Sequence, residues 1–179
     1  MLSRDALSLD GVMLDEAKAY LRLESDDEDA ALSAIVLAAI AHAESYTAQM
    51  LLRRSVGEVR GVSSVWQRLT ASPVVTFTGV TGIPAEGVTF PVPITGYSTE
   101  IDSNGEGHFR VTQPGSAGRV EVVYRAGLAD SWAELPEALR LGILRLIGHL
   151  YANRDSSADT GPPEAVSALL HPWRRMKLS

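Results

Sequence analysis

The chain has 179 residues, of which 45% are hydrophobic and 21% charged, as expected for one globular domain or one domain with an inserted lobe. It contains no cysteine, which excludes disulfide bonds and thiolate metal sites. The net charge of −6 is uneven: residues 1–52 carry −7, residues 53–134 carry −1 and residues 135–179 carry +2. Because DNA phosphates bind Lys and Arg, the acidic first third argues against a DNA-binding surface there.

The first residues show no periodic pattern and lack the basic start and apolar run of a signal peptide. Residues 1–12 are therefore predicted to form an N-terminal arm that is flexible or ordered by a partner. The longest apolar stretch, 34–41, is far shorter than a membrane span, so no membrane interaction is expected.

Two helices are predicted next. Leu14, Ala17 and Leu21 share one face of a short helix over 14–23. Ser25 and Glu28 have the spacing of a capping box, which predicts that a long helix follows over about 26–51. The acids at 26–29 are interpreted as compensating the helix dipole, because a calcium loop would need Gly or Asn among them.

Residues 53–127 change to short runs of Val, Thr and aromatic residues separated by Gly, Pro and Asn. This pattern predicts a small antiparallel sheet or sandwich of four to six strands. Ser103-Asn104-Gly105 predicts a hairpin turn, and residues 79–96 are expected to form an irregular loop or edge segment. In the last strand, Val120, Val122 and Tyr124 are predicted to face one side.

A helix is predicted to restart at Pro136, and a last short helix to run from Pro162-Pro163 to about Leu170. Gly142 and Gly148 each cost about 1 kcal/mol relative to Ala in a helix, so a closely approaching neighbouring helix is expected at both.

The predicted fold class is α+β. Residues 13–52 and 128–170 form a helical bundle, residues 53–127 form an inserted antiparallel β lobe, and residues 171–179 form a C-terminal docking tail. The residues expected in the helical core are Leu32, Val36, Ala39, Ala43, Leu139, Ile143, Ile147 and Leu150.

The tail is basic and contains a large aromatic residue. Its candidate docking residues are His171, Pro172, Trp173, Arg174, Arg175 and Lys177. Trp and Arg are the residues that most often anchor protein interfaces. The tail either docks on a partner or folds back on its own helices, and the interface is the favoured interpretation.

No catalytic pattern is visible. The four histidines lie on four different predicted elements, and none has a partner at metal-binding spacing. A nucleophile elbow, a Walker loop and a dinucleotide fingerprint are all missing from the sequence. The sequence therefore predicts neither an enzyme nor a protein that depends on a metal or cofactor. A helix–turn–helix reading is disfavoured because its second helix would begin with the acids at 26–29.

Five short motifs follow one another along the chain. They are LDEAKAYLR at 14–22, the acid run at 26–29 before a helix containing Tyr46-Thr47, YRAG at 124–127, a Pro-led helix ending in YANR at 151–154, and LLHPWR at 169–174. Their order resembles that of the head–tail connector (adaptor) proteins of long-tailed phages and phage-like gene transfer agents. Two departures are Met13, where a Ser or Thr helix cap is usual, and the loosely matching β-rich middle.

The resemblance implies a structural subunit in the neck of a virion or virus-like particle, assembled in the bacterial cytoplasm. It implies a homo-oligomeric ring, commonly of twelve copies, between the portal protein and a tail completion or tail-terminator protein. DNA would pass through the channel as non-specific cargo, and the C-terminal tail would dock on the portal. The alternative is an accessory nucleic-acid-binding or DNA-packaging factor of a phage module, against which the acidic balance counts.

Overall fold

The structure, a computed structural model, describes residues 1–154 and 162–175. Over these residues the fold is α+β and has the following strands and helices in chain order: β1 (Leu2–Arg4), α1 (Gly11–Leu21), α2 (Asp29–Thr47), β2 (Arg54–Gly61), β3 (Gln67–Arg68), β4 (Val74–Pro84), β5 (Phe90–Pro91), β6 (Tyr97–Ile101), β7 (Gly107–Val111), β8 (Ala117–Ala126), α3 (Glu137–Ala152) and α4 (Glu164–Leu170). The chain divides into two compact units, a β unit formed by Met1–Ala6 and Leu52–Leu128 and a helical unit formed by the remainder.

The β unit contains two antiparallel sheets, one with strand order β1-β2-β8-β4-β5 and one with order β3-β7-β6. Strand β8 is central in the larger sheet because β2 and β4 pair with its two edges. The period-2 prediction for β8 is confirmed, since Val120, Val122 and Tyr124 are all fully buried.

The hairpin prediction at residues 103–105 is also confirmed. The turn joins β6 to β7, and Gly105 has a φ of 73°, which favours glycine. The Asp102 carboxylate stabilises the turn by accepting hydrogen bonds from the N–H groups of Asn104 at 2.9 Å and Glu106 at 2.7 Å.

The segment 79–96 is partly different from the prediction. Its first residues belong to a strand, because β4 continues to Pro84 and pairs with β8, with one shift of register between Ile83 and Pro84. Phe90–Pro91 does form an edge strand, which pairs with Thr81 and Gly82 of β4. A Cβ atom at Gly82 would lie 2.7 Å from Cζ of Phe90, so the Phe90 ring would have to shift to admit a side chain there.

The predicted N-terminal arm is wrong for its first residues. Strand β1 pairs antiparallel with β2 as an edge strand, and the Val59 N–H donates to the Met1 carbonyl at 2.8 Å. These bonds satisfy backbone groups on the outer edge of β2 that water would otherwise have to satisfy. A three-residue strand is too short to show alternation in the sequence.

Helix α1 begins earlier than predicted, at Gly11. Its N-cap is Asp10, whose carboxylate accepts a hydrogen bond from the Met13 N–H at 2.8 Å. Position 13 is therefore not the helix cap and does not need Ser or Thr, because Met13 lies inside the helix and is buried.

The predicted capping box does not form. The Ser25 hydroxyl accepts from the Asp27 N–H at 3.1 Å, and α2 begins only at Asp29. The Glu28 carboxylate accepts hydrogen bonds from Tyr151 and Arg154 instead of from Ser25. At its other end α2 stops at Thr47, because Ala48 adopts a left-handed φ of 54°.

The helical unit buries seven of the eight residues predicted for its core, each at most 1% exposed, whereas Leu150 is only half-buried. The prediction for the two helix glycines is confirmed. A Cβ atom at Gly142 would lie 3.1 Å from Leu170 Cδ2 of α4, and one at Gly148 would lie 3.2 Å from Tyr20 Cε1 of α1.

Helix α2 is long and apolar enough to cross a membrane by length and composition. A core helix of a helical unit has the same properties. Leu32, Val36 and Ala43 on one face of α2 are buried, so we interpret the helix as the central strut of its unit.

A buried carboxylate links two strands and one loop of the β unit. Glu58 on β2 is 2% exposed and accepts hydrogen bonds from the Tyr124 hydroxyl at 2.9 Å, the Thr70 N–H at 2.9 Å and the Thr70 hydroxyl at 2.7 Å. Burial by itself would raise the pKa of Glu58, but these donors and the charge of Arg60 outweigh it and hold the pKa below its usual value.

We expect the Glu58 network to make the protein sensitive to acid. Because the pKa is lowered in the folded state, its stabilising contribution is present above the unfolded-state pKa and is lost as the pH falls through the folded-state pKa. Glu58→Gln should lower the free energy of unfolding at pH 7 by about 1.5–3 kcal/mol and flatten its fall in acid. Urea unfolding between pH 3 and pH 7 measures both effects.

The matched control is Glu100→Gln, which neutralises an exposed carboxylate on β6. It should leave the unfolding curve at pH 7 within about 0.5 kcal/mol of the original. If Glu58→Gln behaves like this control at pH 7 and in acid, the carboxylate contributes no stability.

Candidate docking surface

The C-terminal segment follows directly from α4. After Leu170 the backbone makes one 3₁₀ turn over His171–Trp173. His171, Pro172 and Arg174 are exposed, whereas Trp173 and Arg175 are half-buried. Lys177, the remaining predicted docking residue, lies outside the described residues. The structure thus keeps five of the six candidate residues together on one short segment.

Backbone hydrogen bonds fix this segment to the end of α2. The Arg175 N–H donates to the Thr47 carbonyl at 2.9 Å, and the Gln49 side-chain amide donates to the Trp173 carbonyl. The expectation of a free tail is therefore wrong for residues 171–175, which fold back on the helical unit. The reason is that Ala48 ends α2 in a left-handed turn, so backbone groups there have no partner in a following helical turn.

Side chains add to this attachment. The Arg174 guanidinium lies over the Tyr46 ring, 5.6 Å from its centroid, a cation–π contact. The paired residues Tyr46-Thr47 and the segment 169–174 are two of the motifs noticed in the sequence, and they contact one another here. The tail motif therefore packs against the end of the helix that carries the Tyr46-Thr47 motif.

We define the docking surface as the exposed side chains of His171, Pro172 and Arg174 together with half-buried Trp173. It offers a cation, an aromatic ring and a rigid proline held by backbone bonds. Ordering a segment costs about 1–2 kcal/mol per residue in backbone entropy. Because residues 171–175 are already ordered, a partner would not have to supply that free energy.

The helical unit also contains a polar cluster that was not predicted from the sequence. The Glu28 carboxylate accepts from the Tyr151 hydroxyl and, at 3.1 Å, from Arg154 Nη1. The hydrogen bond from Tyr151, followed by that from Arg154, holds the pKa of Glu28 below its usual value. The YANR motif was a signal for this cluster, but its partner lies more than 120 residues earlier in the chain.

The docking surface combines a cation, an aromatic ring and a proline, and Trp and Arg are common in protein interfaces. Among residues 1–154 and 162–175, no three His, Asp or Glu side chains come together as a possible metal site. The Glu28 cluster is a closed set of hydrogen bonds between helices. Neither feature joins a nucleophile to a base.

No protein-family model matches the chain, and no curated protein is significantly similar to it. Solved structures of gene transfer agent (GTA) particles are similar over the whole chain. The neck of an empty GTA particle computed with C6 symmetry contains a chain that is 28% identical to this one, with a TM-score of 0.81. The match covers 100% of this chain and 97% of that chain.

A chain in the virion of a native GTA particle is 29% identical with a TM-score of 0.76. A chain in the neck of a native GTA particle computed with C12 symmetry is 30% identical, also with a TM-score of 0.76. In both cases 100% of this chain matches 97% of the other. Because the match at 30% identity covers 100% of this chain and 97% of the other, this chain belongs to the same family as that chain from the neck of a gene transfer agent particle.

Proposed function

We propose that this protein is a head–tail connector subunit that forms a ring between the portal and the tail of a phage or phage-like particle. The observation that carries the proposal is the full-length similarity to chains in neck structures computed with C6 and C12 symmetry. A head-to-tail contact with a closing rotation generates such a ring. Twelve copies is the number that the family resemblance implies.

The role we propose is mechanical. The ring would surround a channel through which DNA passes as non-specific cargo. The net charge of −7 on residues 1–52 would disfavour sticking of DNA to any part of the channel that they line. We assign the protein no reaction, no metal and no cofactor.

We further propose that the docking surface, extended by Arg175 and Lys177, binds the portal. Arg174 is exposed, and its guanidinium can bind a carboxylate of a partner while its plane rests on Tyr46. A single such contact is weak. Repetition of the contact around a ring makes the whole attachment strong.

The sharpest test removes the charges and keeps the backbone. We expect the triple variant Arg174→Gln, Arg175→Gln and Lys177→Gln to fold, because the bonds that hold the segment use the carbonyl of Trp173 and the N–H of Arg175. Loss of the Arg174 contact with Tyr46 should cost only about 0.5–1 kcal/mol. In cells that produce the particle, this variant should give filled heads without tails, counted by electron microscopy.

The control removes three exposed cations elsewhere, through Arg22→Gln, Arg119→Gln and Arg145→Gln, with the same change in net charge. It should leave tailed particles at their original frequency. Tailed, gene-transferring particles from the tail variant would show that the docking role is wrong. Equal loss of tails in both variants would show that net charge, and not this surface, matters.

A further inference from the structure

The β unit exposes two apolar patches. The loop patch is the segment 86–94, which carries Val88, 86% exposed, Ile94, 81% exposed, and the exposed carboxylate of Glu86. The tryptophan patch consists of Val65, 71% exposed, and Trp66, 39% exposed, with Arg110. Exposed apolar side chains concentrated in a short segment favour an interaction site.

The segment that carries the loop patch is attached to β4. The Phe90 ring packs on Gly82, and Val92 is 5% exposed with its N–H donating to the Val80 carbonyl at 2.9 Å. The Gly96 N–H donates to the Pro93 carbonyl at 2.7 Å. No charged residue occurs in the stretch 87–99. Packing and a hydrogen bond to β4 therefore hold the backbone of the segment that carries Val88 and Ile94.

The tryptophan patch contains a cation, Arg110, that has no ion-pair partner among the described residues. The Arg110 guanidinium lies 4.7 Å from the centroid of the Trp66 ring, and its buried Nε has no hydrogen-bond partner among the described residues. No carboxylate within the described ranges forms an ion pair with Arg110. An aromatic ring with an unpaired cation over its face suits a partner that brings apolar groups and a carboxylate.

Trp66 of the tryptophan patch and Ile94 of the loop patch lie near the same end of the three-stranded sheet. Strands β3 and β6 are its opposite edges, and both pair antiparallel with β7. At that end, the Val111 N–H donates to the Ser63 carbonyl at 2.8 Å on one side, and the Thr112 N–H donates to the Gly96 carbonyl at 2.9 Å on the other. Trp66 directly precedes β3 and Ile94 lies three residues before β6, so these two residues lie at opposite edges of this sheet, whereas Val88 precedes β5 of the larger sheet.

We propose that the tryptophan patch of one copy binds the loop patch of the next copy around the ring, with Glu86 paired to Arg110. This inference rests on the proposed ring. A second copy is the occupant that fits, because a ring needs two different, complementary surfaces on each subunit. The apolar patches carry opposite charges, which gives the contact its complementarity.

The absence of cysteine allows a direct test by cross-linking. Val65→Cys and Val88→Cys are made singly and together in the full chain, and both sites are exposed enough to tolerate the change. A short bismaleimide should convert the double variant into a ladder of covalent oligomers. A mixture of the two single variants should stop at dimers, because each copy then carries only one thiol.

The control pair is Val12→Cys with Val75→Cys, which are 58% and 41% exposed and lie outside both patches. It should give no ladder. The same reactions are run on isolated particles with necks, where the ring is held by its neighbours. Sedimentation of the uncross-linked protein reports whether copies assemble in solution.

A charge exchange tests the pairing. Arg110→Glu and Glu86→Arg should each weaken every contact by about two- to five-fold, and the double exchange should restore it. If copies assemble in solution or in necks but the Val65–Val88 pair does not cross-link, the ring stands and this surface is wrong. If the protein is a single copy in solution and in particles, the ring itself is wrong and this inference falls with it.

Discussion

Replacing Gly127 with alanine should destabilise the protein by about 3 kcal/mol or more. Gly127 follows β8 with a φ of 146°, a conformation that residues with a Cβ atom rarely adopt. A Cβ atom there would lie 2.4 Å from Cα of Arg53 and 2.5 Å from its backbone nitrogen. Because both obstacles are backbone atoms, no change of rotamer relieves the clash. Thermal unfolding followed by circular dichroism measures the loss.

The matched control is Gly118→Ala, a glycine in β8 with open space where its Cβ atom would go. It should change the unfolding midpoint little, and the comparison separates the clash at 127 from the general effect of losing a glycine. Equal midpoints for both variants would contradict the close approach of Arg53. The conformation of Gly127 also explains why the YRAG motif ends in glycine.

We expect Ile143→Asp to unfold the helical unit. Ile143 is fully buried on α3. Removing its side chain forfeits about 1.5–3 kcal/mol of apolar burial. The new carboxylate would have to be protonated, or the site opened to water, because the flanking residues Leu139, Leu146 and Ile147 are buried apolar side chains. The expected result is an insoluble protein, or a soluble one without a cooperative thermal transition.

Leu141→Asp is the control on the same helix, since Leu141 is 38% exposed and its carboxylate would remain in water. It should stay soluble and melt cooperatively. A cooperatively melting Ile143→Asp protein would show that the helical unit does not depend on this core. Leu150, predicted to be buried in the same core, is half-buried, so Leu150→Asp should be tolerated better than Ile143→Asp.

Much of the fold was predictable because it depends on neighbours in sequence. The period of α2 and α3 identified buried Val36, Ala39 and Ile143, since a helix buries one face every 3.6 residues. Residues 103–105 gave the hairpin because glycine accepts positive φ. Gly142 and Gly148 indicated close helix packing before any partner was known, because glycine in a helix is costly without such a contact.

The candidate docking surface was predictable as a list of residues but not as a structure. Composition singled out Trp173 and Arg174, since these residue types anchor interfaces. It could not reveal that Gln49 and Thr47 hold the segment in place, because those partners are about 125 residues earlier in the chain. Tail and helix end meet only once the helical unit has folded.

The sequence was sufficient to predict the α+β class, the buried faces of the helices and of β8, the lack of disulfides and the five ordered motifs. Only the folded chain shows the pairing of β1 with β2, the hydrogen bonds from Tyr151 and Arg154 to Glu28, and the attachment of residues 171–175 to α2. The physical reason is the same in each case. A polar group takes the best partner that folding brings within hydrogen-bond distance, and that partner can be any residue in the chain.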